Sequence, residues 1–246
     1  MKIKWRLLKT AIGILVLAFL VSFSAKRHAC KPVSEIKIKV DHESGKYFVN
    51  DSLVRKVVEG KQIRISSQAL GNIDVAKVEE VLDRNSFVNK SQVFRDVDGV
   101  MKIQINQETP VARVNTGVDE FYLSEQLTEI PLSNLYAAEV LLVGGNIEES
   151  DYAGLKELSS FISADKLLKK HIIAVKKEEP NSFILLVNKG DYVIEFGELK
   201  NIESKFEKLK LFYDEYLGKV GLNYYEKINL RFNNQIVATK RINDEK

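Results

Sequence analysis

The sequence contains very little cysteine, tryptophan and histidine. Of its 246 residues, one is cysteine, one is tryptophan and three are histidine. The single cysteine, Cys30, excludes a disulfide within the chain and any site built from a cysteine pair. The folded part must therefore be held together by its apolar cores alone.

Acidic residues are absent from the first 31 residues, which hold seven of the 37 Lys and Arg residues. The remaining 215 residues then carry 30 basic and 34 acidic groups, a net charge of −4. The sequence pI of about 8.7 thus reflects the N-terminal segment. This distribution argues against nucleic-acid binding, which requires a basic face on the folded part.

Charged residues are also absent from residues 10–25, TAIGILVLAFLVSFSA. Sixteen helical residues span about 24 Å, and including Leu7 and Leu8, with the Lys9 side chain extended outward, brings the length to about 28 Å. The hydrocarbon core of a bilayer is roughly 30 Å thick. We predict a transmembrane helix over 10–25 and a basic cytoplasmic tail over 1–9, with the rest of the chain outside the cytoplasm.

The alternative interpretation of this segment is a cleaved signal peptide. The apolar run has nearly the length of a signal-peptide core, and the small residues Ser22, Ser24 and Ala25 lie at its end, although Phe23 stands among them. The basic pair Lys26-Arg27 comes directly after them and favours the anchor. A lipoprotein signal ending at Cys30 is disfavoured further, because a charged arginine precedes that cysteine.

Residues 33–108 have the pattern of a small α+β domain. Charged and apolar residues alternate at its start, as in a half-buried strand, and Asp98-Gly99 is a strong hairpin signal. Asn50 and Asp74 are suitable N-caps for two amphipathic helices. The predicted order is β(β)-α-α-β-β, with strands over 35–40, 46–49, 87–97 and 101–106.

Residues 109–246 show a longer series of strands. The apolar pattern predicts strands over 111–114, 120–123, 130–132, 140–143, 171–177, 182–187, 192–196, 226–232 and 235–239. Helices are predicted over 151–163 and 201–216, the second with an apolar stripe that ends at Tyr216. The fold class is therefore α+β, with a larger mixed, mainly antiparallel, β-rich C-terminal domain.

This plan resembles the FtsQ/DivIB family of bacterial division proteins. The stretches that carry the resemblance are DVAKVEEVL leading into NSFV over 74–88, IQINQETPVARV over 103–114, and INLRF followed by NQIVA over 228–238. The resemblance implies a short cytoplasmic tail, one transmembrane helix, a POTRA domain over 33–108 and a β-rich partner-binding domain over 109–246. One departure is Asn229, which stands where the family usually has Asp.

The resemblance also implies a function and a binding site. Such proteins are scaffolds at the division septum of the plasma membrane, where they control septal peptidoglycan synthesis. They capture FtsB/DivIC-like and FtsL-like partners by β-strand addition at the C-terminal strand, and the POTRA domain receives other divisome proteins. The positions that match the family's site are Arg231, Phe232, Asn234, Gln235, Ile236, Val237 and Ala238.

Motifs for catalysis, nucleotide binding or metal binding are missing from the sequence. The histidines His28, His42 and His171 stand apart from any HExxH pattern, and no GxSxG, Walker A or GxGxxG motif occurs. We therefore expect no catalytic residues, no metal site and no cofactor. Two alternatives stay open: a POTRA-containing envelope assembly or transport component, and a membrane-anchored envelope enzyme.

Overall fold

The computed structural model describes residues 2–41, 45, 47–60, 63–96 and 98–241. The chain divides into two compact units, Met1–Gln107 and Glu108–Lys246. A three-stranded sheet forms the centre of the first unit, and a nine-stranded sheet forms the centre of the second. Helices accompany both sheets, so the predicted α+β class with a β-rich C-terminal part is confirmed.

The N-terminal helix α1 extends from Lys2 to Ala29. Its described apolar side chains between Ile12 and Phe23 are exposed. Within the part of the chain that the structure describes, no helix combines the length and the apolar character needed to cross a membrane. The predicted span is therefore not confirmed. The side chains of Leu7, Leu8 and Ala25, at the ends of that prediction, lie outside the described residues.

The rest of the first unit is a β-α-α-β-β arrangement. Asn50 and Asp74 cap α2 and α3 as predicted: their side chains accept hydrogen bonds from Leu53 N and Lys77 N. In the sheet order β1-β3-β2, β1 is parallel to β3 and β2 is antiparallel to it. The elements are β1 Glu35–Val40, α2 Asp51–Val58, α3 Val75–Asp83, β2 Val88–Arg95 and β3 Val100–Gln107, with 3₁₀ turns Ile65–Ser67 and Leu70–Asn72.

The predicted short strand at 46–49 is wrong for its described residues 47–49. Phe48 and Val49 are adjacent and both completely buried, so the side chains do not alternate between core and solvent. Val49 N donates to Gln107 Oε1 at 2.8 Å, and Gln107 Nε2 donates to Asp41 O at 2.8 Å. A buried amide side chain thus satisfies the backbone that a strand partner would otherwise satisfy. Lys46 lies outside the described residues.

The second unit is built on one mixed sheet in the order β12-β11-β10-β9-β8-β7-β4-β5-β6. Five of the pairings between its described strands are antiparallel and three are parallel. The strands are β4 Pro110–Asn115, β5 Glu120–Ser124, β6 Glu129–Pro131, β7 Leu141–Gly144, β8 Ile172–Glu179, β9 Ser182–Val187, β10 Val193–Gly197, β11 Tyr225–Asn229 and β12 Val237–Lys240.

All but the last of the helices of this unit pack apolar residues into a shared core with the sheet, and the last has no buried residue. They are α4 Glu149–Ala164, α5 Lys166–His171, α6 Ile202–Phe212 and α7 Gly218–Val220. The sequence patterns missed α5, whose single turn and a half is too short to show helical periodicity. A π-helical segment, Tyr213–Leu217, follows α6. Its wider turn shifts the register, so Leu217 is buried and Tyr216, predicted on the apolar stripe, is exposed.

Candidate functional site

Strand β12 forms one end of the nine-stranded sheet and pairs with β11 in antiparallel register, with Asn229 opposite Val237. Successive residues of a strand direct their backbone N–H groups to opposite sides. Arg241 N donates to Tyr224 O, on the β11 side, at 3.0 Å. By alternation Thr239 and Val237 also face β11, so the N–H groups of Ala238 and Lys240 point away from the sheet.

A hydrogen bond between β10 and the end of β11 confirms which residues of β11 face β12. Leu230 N donates to Glu195 O of β10 at 2.9 Å. Leu230 and Ile228 therefore face β10, and Asn229 and Lys227 face β12. Among the described residues, neither a strand nor a side chain accepts a hydrogen bond from Ala238 N or Lys240 N. Within the described residues, the outer side of β12 is thus an open hydrogen-bonding edge.

The outer edge of β2 in the first unit is covered by carboxylates of α3. Ser91 N donates to Asp83 Oδ1 and Val93 N donates to Glu79 Oε1, each at 2.7 Å. Both of these N–H groups point away from β3. The helix that packs beside the strand therefore occupies the positions that another strand would need.

The edge strands β1 and β6 are also obstructed. Arg55 Nη2 donates to Ile36 O of β1 at 3.1 Å. In β6, Pro131 has no N–H group to offer. Because Ser124 N donates to Thr128 O, alternation places Pro131 at an outward-facing position of that strand. Among the four edges of the two described sheets, β12 is the one without such an obstruction.

The segment that joins β11 to β12 is held by a cluster around Glu195. Glu195 Oε2 accepts from Asn229 Nδ2 at 2.6 Å and from Arg231 Nη2 at 2.8 Å. Asn229 Oδ1 also accepts a hydrogen bond from Arg231 N at 2.9 Å. This bond forms a local turn, so β11 ends at Asn229. The Arg231 stem lies over Gly197, where a Cβ atom would come within 2.6 Å of Arg231 Cγ.

Two lysines of α6 support the same region, although neither belongs to the apolar stripe of this helix. Lys205 is only 8% exposed, and its Nζ donates to Phe196 O at 2.9 Å and to Glu198 O at 2.7 Å. Burial lowers the pKa of Lys205. Lys208 Nζ donates to Phe232 O at 2.8 Å and to the next carbonyl along the chain at 2.9 Å. No short-range pattern identifies these contacts, because their acceptors are backbone carbonyls of another element.

The structure brings the seven predicted site residues together, but not on one strand. The predicted strands 226–232 and 235–239 are shorter and displaced, because the turn at Asn229 ends β11 early. Val237 and Ala238 lie on β12, whereas the connection between the strands contains Arg231, Phe232, Asn234, Gln235 and Ile236. Phe232 is 46% exposed and Val237 is 42% exposed. The surface beside the open edge therefore offers two apolar side chains and one guanidinium.

Lys240 and Tyr224 flank the other end of the edge. The Lys240 ammonium lies 5.3 Å from the centre of the Tyr224 ring, and a hydrogen bond with that side chain raises the pKa of Lys240. In the part of the chain that the structure describes, no group of three or more His, Cys, Asp or Glu side chains is arranged to hold a metal ion. The outward N–H groups of Ala238 and Lys240 are hydrogen-bond donors of the kind that another polypeptide backbone can accept.

Comparison with protein families gives two matches that divide the chain in order. A POTRA-like domain matches residues 29–106, and the family described as FtsQ/DivIB, C-terminal related, matches residues 109–239, which is more than half of the chain. Comparison with curated proteins gives no match. The matched family is one of non-catalytic scaffolds and carries a role in cell division at the division-site membrane. The chain belongs to the FtsQ/DivIB family.

Proposed function

We propose that this protein is a bitopic scaffold of the bacterial divisome. It recruits FtsB/DivIC-type and FtsL-type partners by accepting a partner strand on β12, and it positions them to control septal peptidoglycan synthesis. The proposal includes the residue boundaries predicted from the sequence: a tail over 1–9, an anchor over 10–25, a POTRA domain over 33–108 and a partner-binding domain over 109–246. The POTRA domain receives other divisome proteins.

The observation that carries this proposal is the open outer edge of β12. A partner strand placed there meets the N–H groups of Ala238 and Lys240, whereas Val237 and Thr239 keep their bonds to β11. Main-chain hydrogen bonds provide affinity in strand addition, and the neighbouring side chains provide specificity. Arg231, Phe232, Asn234, Gln235 and Ile236 lie beside the edge in sequence and supply those side chains. Recognition of this kind requires no catalytic group.

A proline at Ala238 tests strand addition directly. Ala238→Pro removes an outward N–H group and no bond to β11, and proline is tolerated on an edge strand. Tagged full-length protein is purified from membranes, and the FtsB/DivIC-type partner recovered with it is quantified by mass spectrometry. We expect recovery to fall by about 100-fold, because the pairing of the added strand is interrupted at its centre.

Ala238→Ser is the matched control, because it keeps the N–H group at the same position. We expect it to recover the partner as the wild type does. The thermal unfolding curves of both variants should match that of the wild type. Undiminished partner recovery by a folded Ala238→Pro protein would show that the partner does not add a strand here.

The anchor is supported by the uncharged run in α1 and by the exposure of its described apolar side chains. The native Cys30 is exposed just after α1 and provides a specific probe of topology. We expect a membrane-impermeant maleimide to label Cys30 in intact spheroplasts. In the Cys30→Ser background, a cysteine introduced at Lys2 should react only after lysis. Labelling of both positions before lysis, or loss of residues 1–25 from the mature protein, would contradict the anchor.

A further inference from the structure

A second surface feature of the C-terminal unit is an open pocket of about 980 Å³ between α5 and the segment that leads into β11. Leu217 lies at its base and is almost completely buried, while Leu167 and Leu222 line it and are 46% and 40% exposed. The proposed strand-addition site does not account for this apolar surface. Apolar side chains grouped in a concavity are typical of a docking site for another apolar group.

The π-helical segment shapes the floor of the pocket. It turns Tyr213 inward, where the Tyr213 hydroxyl accepts from Tyr192 at 3.2 Å, and the Tyr192 hydroxyl is 2.7 Å from His171 Nε2. The rings of His171 and Tyr213 meet edge to face at 5.2 Å. Burial lowers the pKa of His171 and raises the pKa of Tyr192. The floor is therefore neutral at pH 7 and its polar groups are bonded to one another.

The rim of the pocket carries positive charge. Lys166, Lys170 and Lys189 line it and are exposed. None of the three forms a salt bridge with another described residue, and no carboxylate is among the residues that line the pocket. This contrasts with the net charge of −4 on residues 32–246. A ligand that complements the pocket therefore combines apolar groups, for the floor, with acidic groups, for the rim.

The pocket adjoins the end of β12. Leu222 lines the pocket and is two residues from Tyr224, whose carbonyl accepts from Arg241 N at 3.0 Å directly after β12. Two residues span at most about 7 Å. A polypeptide that lies along the outer side of β12 therefore reaches the pocket within a few residues of the last strand pair. This continuity favours a polypeptide over a free anionic lipid as the occupant.

We propose that the pocket binds an acidic, apolar segment of the same polypeptide that adds a strand to β12. Its apolar side chains cover Leu167, Leu217 and Leu222, and its carboxylates pair with the three rim lysines. This inference rests on the proposed function, because it requires a partner strand on β12. The two contacts together make the attachment bivalent, so the second contact forms at a high effective concentration.

Site-specific photo-crosslinking in cells tests the two contacts separately. The photoreactive residue p-benzoylphenylalanine replaces Val237, at the edge, in one full-length protein and Leu222, in the pocket, in another. Crosslinked peptides are identified by mass spectrometry. We expect both positions to capture the same polypeptide, and we expect the peptide captured at Leu222 to contain at least two Asp or Glu residues among apolar ones.

Charge reversal provides the second readout. In K166E/K170E/K189E we expect the Leu222 product to fall at least tenfold relative to the Val237 product. The matched control is K39E/K77E/K90E, which reverses three exposed lysines of the first unit and should leave this ratio unchanged. All six of these lysines are solvent-exposed, and an unchanged thermal unfolding curve verifies the fold of each variant.

The remaining outcomes distinguish the two proposals. If Val237 captures a polypeptide while Leu222 captures a lipid, a different polypeptide or nothing, the pocket assignment is overturned and strand addition stands. A ratio that is insensitive to K166E/K170E/K189E also overturns the pocket assignment. If Val237 captures nothing, strand addition is overturned, and the pocket assignment is overturned with it.

Discussion

The two units treat their strand edges in opposite ways. In the first unit, side chains of the neighbouring helices cover both edges: Arg55 reaches β1, while Glu79 and Asp83 reach β2. In the second unit, β6 ends in Pro131, whereas the outward N–H groups of β12 have no acceptor among the described residues. An unprotected edge invites pairing with another chain, and proteins usually block it.

This contrast indicates which surface is available for strand addition. A small three-stranded sheet would expose a large share of its backbone without the covering side chains, so each blocking contact also stabilises the first unit. The second unit has a larger core and leaves one edge open. The edges of the first unit are hydrogen-bonded to side chains, whereas the outward N–H groups of β12 have no acceptor among the described residues. This difference favours β12 as the partner site.

The largest effect is expected when the β2 edge is opened. The double variant Glu79→Ala, Asp83→Ala removes two charge-assisted hydrogen bonds from backbone N–H groups, and each such bond contributes about 1.5–3 kcal/mol. We expect the free energy of unfolding of the first unit to fall by about 3 kcal/mol, measured by urea denaturation. The variant should also self-associate through β2 in light-scattering measurements.

Glu80→Ala is the control for this prediction. Glu80 is on the same helix and, among the described residues, forms a salt bridge with Arg84 alone, at the surface. Its loss should therefore change stability by less than about 1 kcal/mol. If the double variant were as stable and as monomeric as Glu80→Ala, we would conclude that the carboxylates of α3 do not protect the edge of β2.

A smaller effect is expected from the cluster beside the open edge. Glu195→Ala removes the acceptor of both Asn229 and Arg231 and releases the arginine from its position over Gly197. We expect partner recovery to fall about tenfold, with a loss of about 1 kcal/mol in stability for this partly exposed pair. Glu226→Ala, an exposed carboxylate on β11, is the control and should behave as wild type. An equal effect of both variants would mean that net charge, and not the position of Arg231, determines recovery.

The smallest effect is expected in the pH dependence of the stability of the second unit. Burial lowers the pKa of His171 below its usual value of 6.5. Between the two pKa values the unfolded chain binds a proton that the folded chain does not, so stability decreases as the pH falls from 6.5 towards the folded pKa. Above 6.5 this group has no effect. After the exchange rates are divided by the intrinsic rate at each pH, we expect hydrogen-exchange protection of the second unit to fall between pH 7.5 and 5.5 more in the wild type than in His171→Gln. An identical pH response of the two proteins would contradict this assignment.

Local patterns in the sequence predicted much of the fold. Asn50 and Asp74 are caps because an N-cap acts within three residues, and β3 alternates because a strand has a period of two. Local patterns gave a wrong prediction at 47–49, where the side chain of the distant Gln107, and not a partner strand, accepts the backbone hydrogen bond. They were also wrong at Tyr216, because the π-helical turn changes which face of the helix is buried. Lys205 and Glu195 were missed because their partners lie on other elements.

By itself, the sequence determined the order of most elements, because this order depends on periodicity and short motifs, and its resemblance to the FtsQ/DivIB family indicated a candidate site near the C-terminus. Only the tertiary structure decided that β12 is an edge strand, that it starts at Val237, and that the N–H groups of Ala238 and Lys240 point outward. Those properties depend on which strand pairs with which, and in what register. Hydrogen bonds between residues far apart in the chain determine both, and no local pattern encodes them.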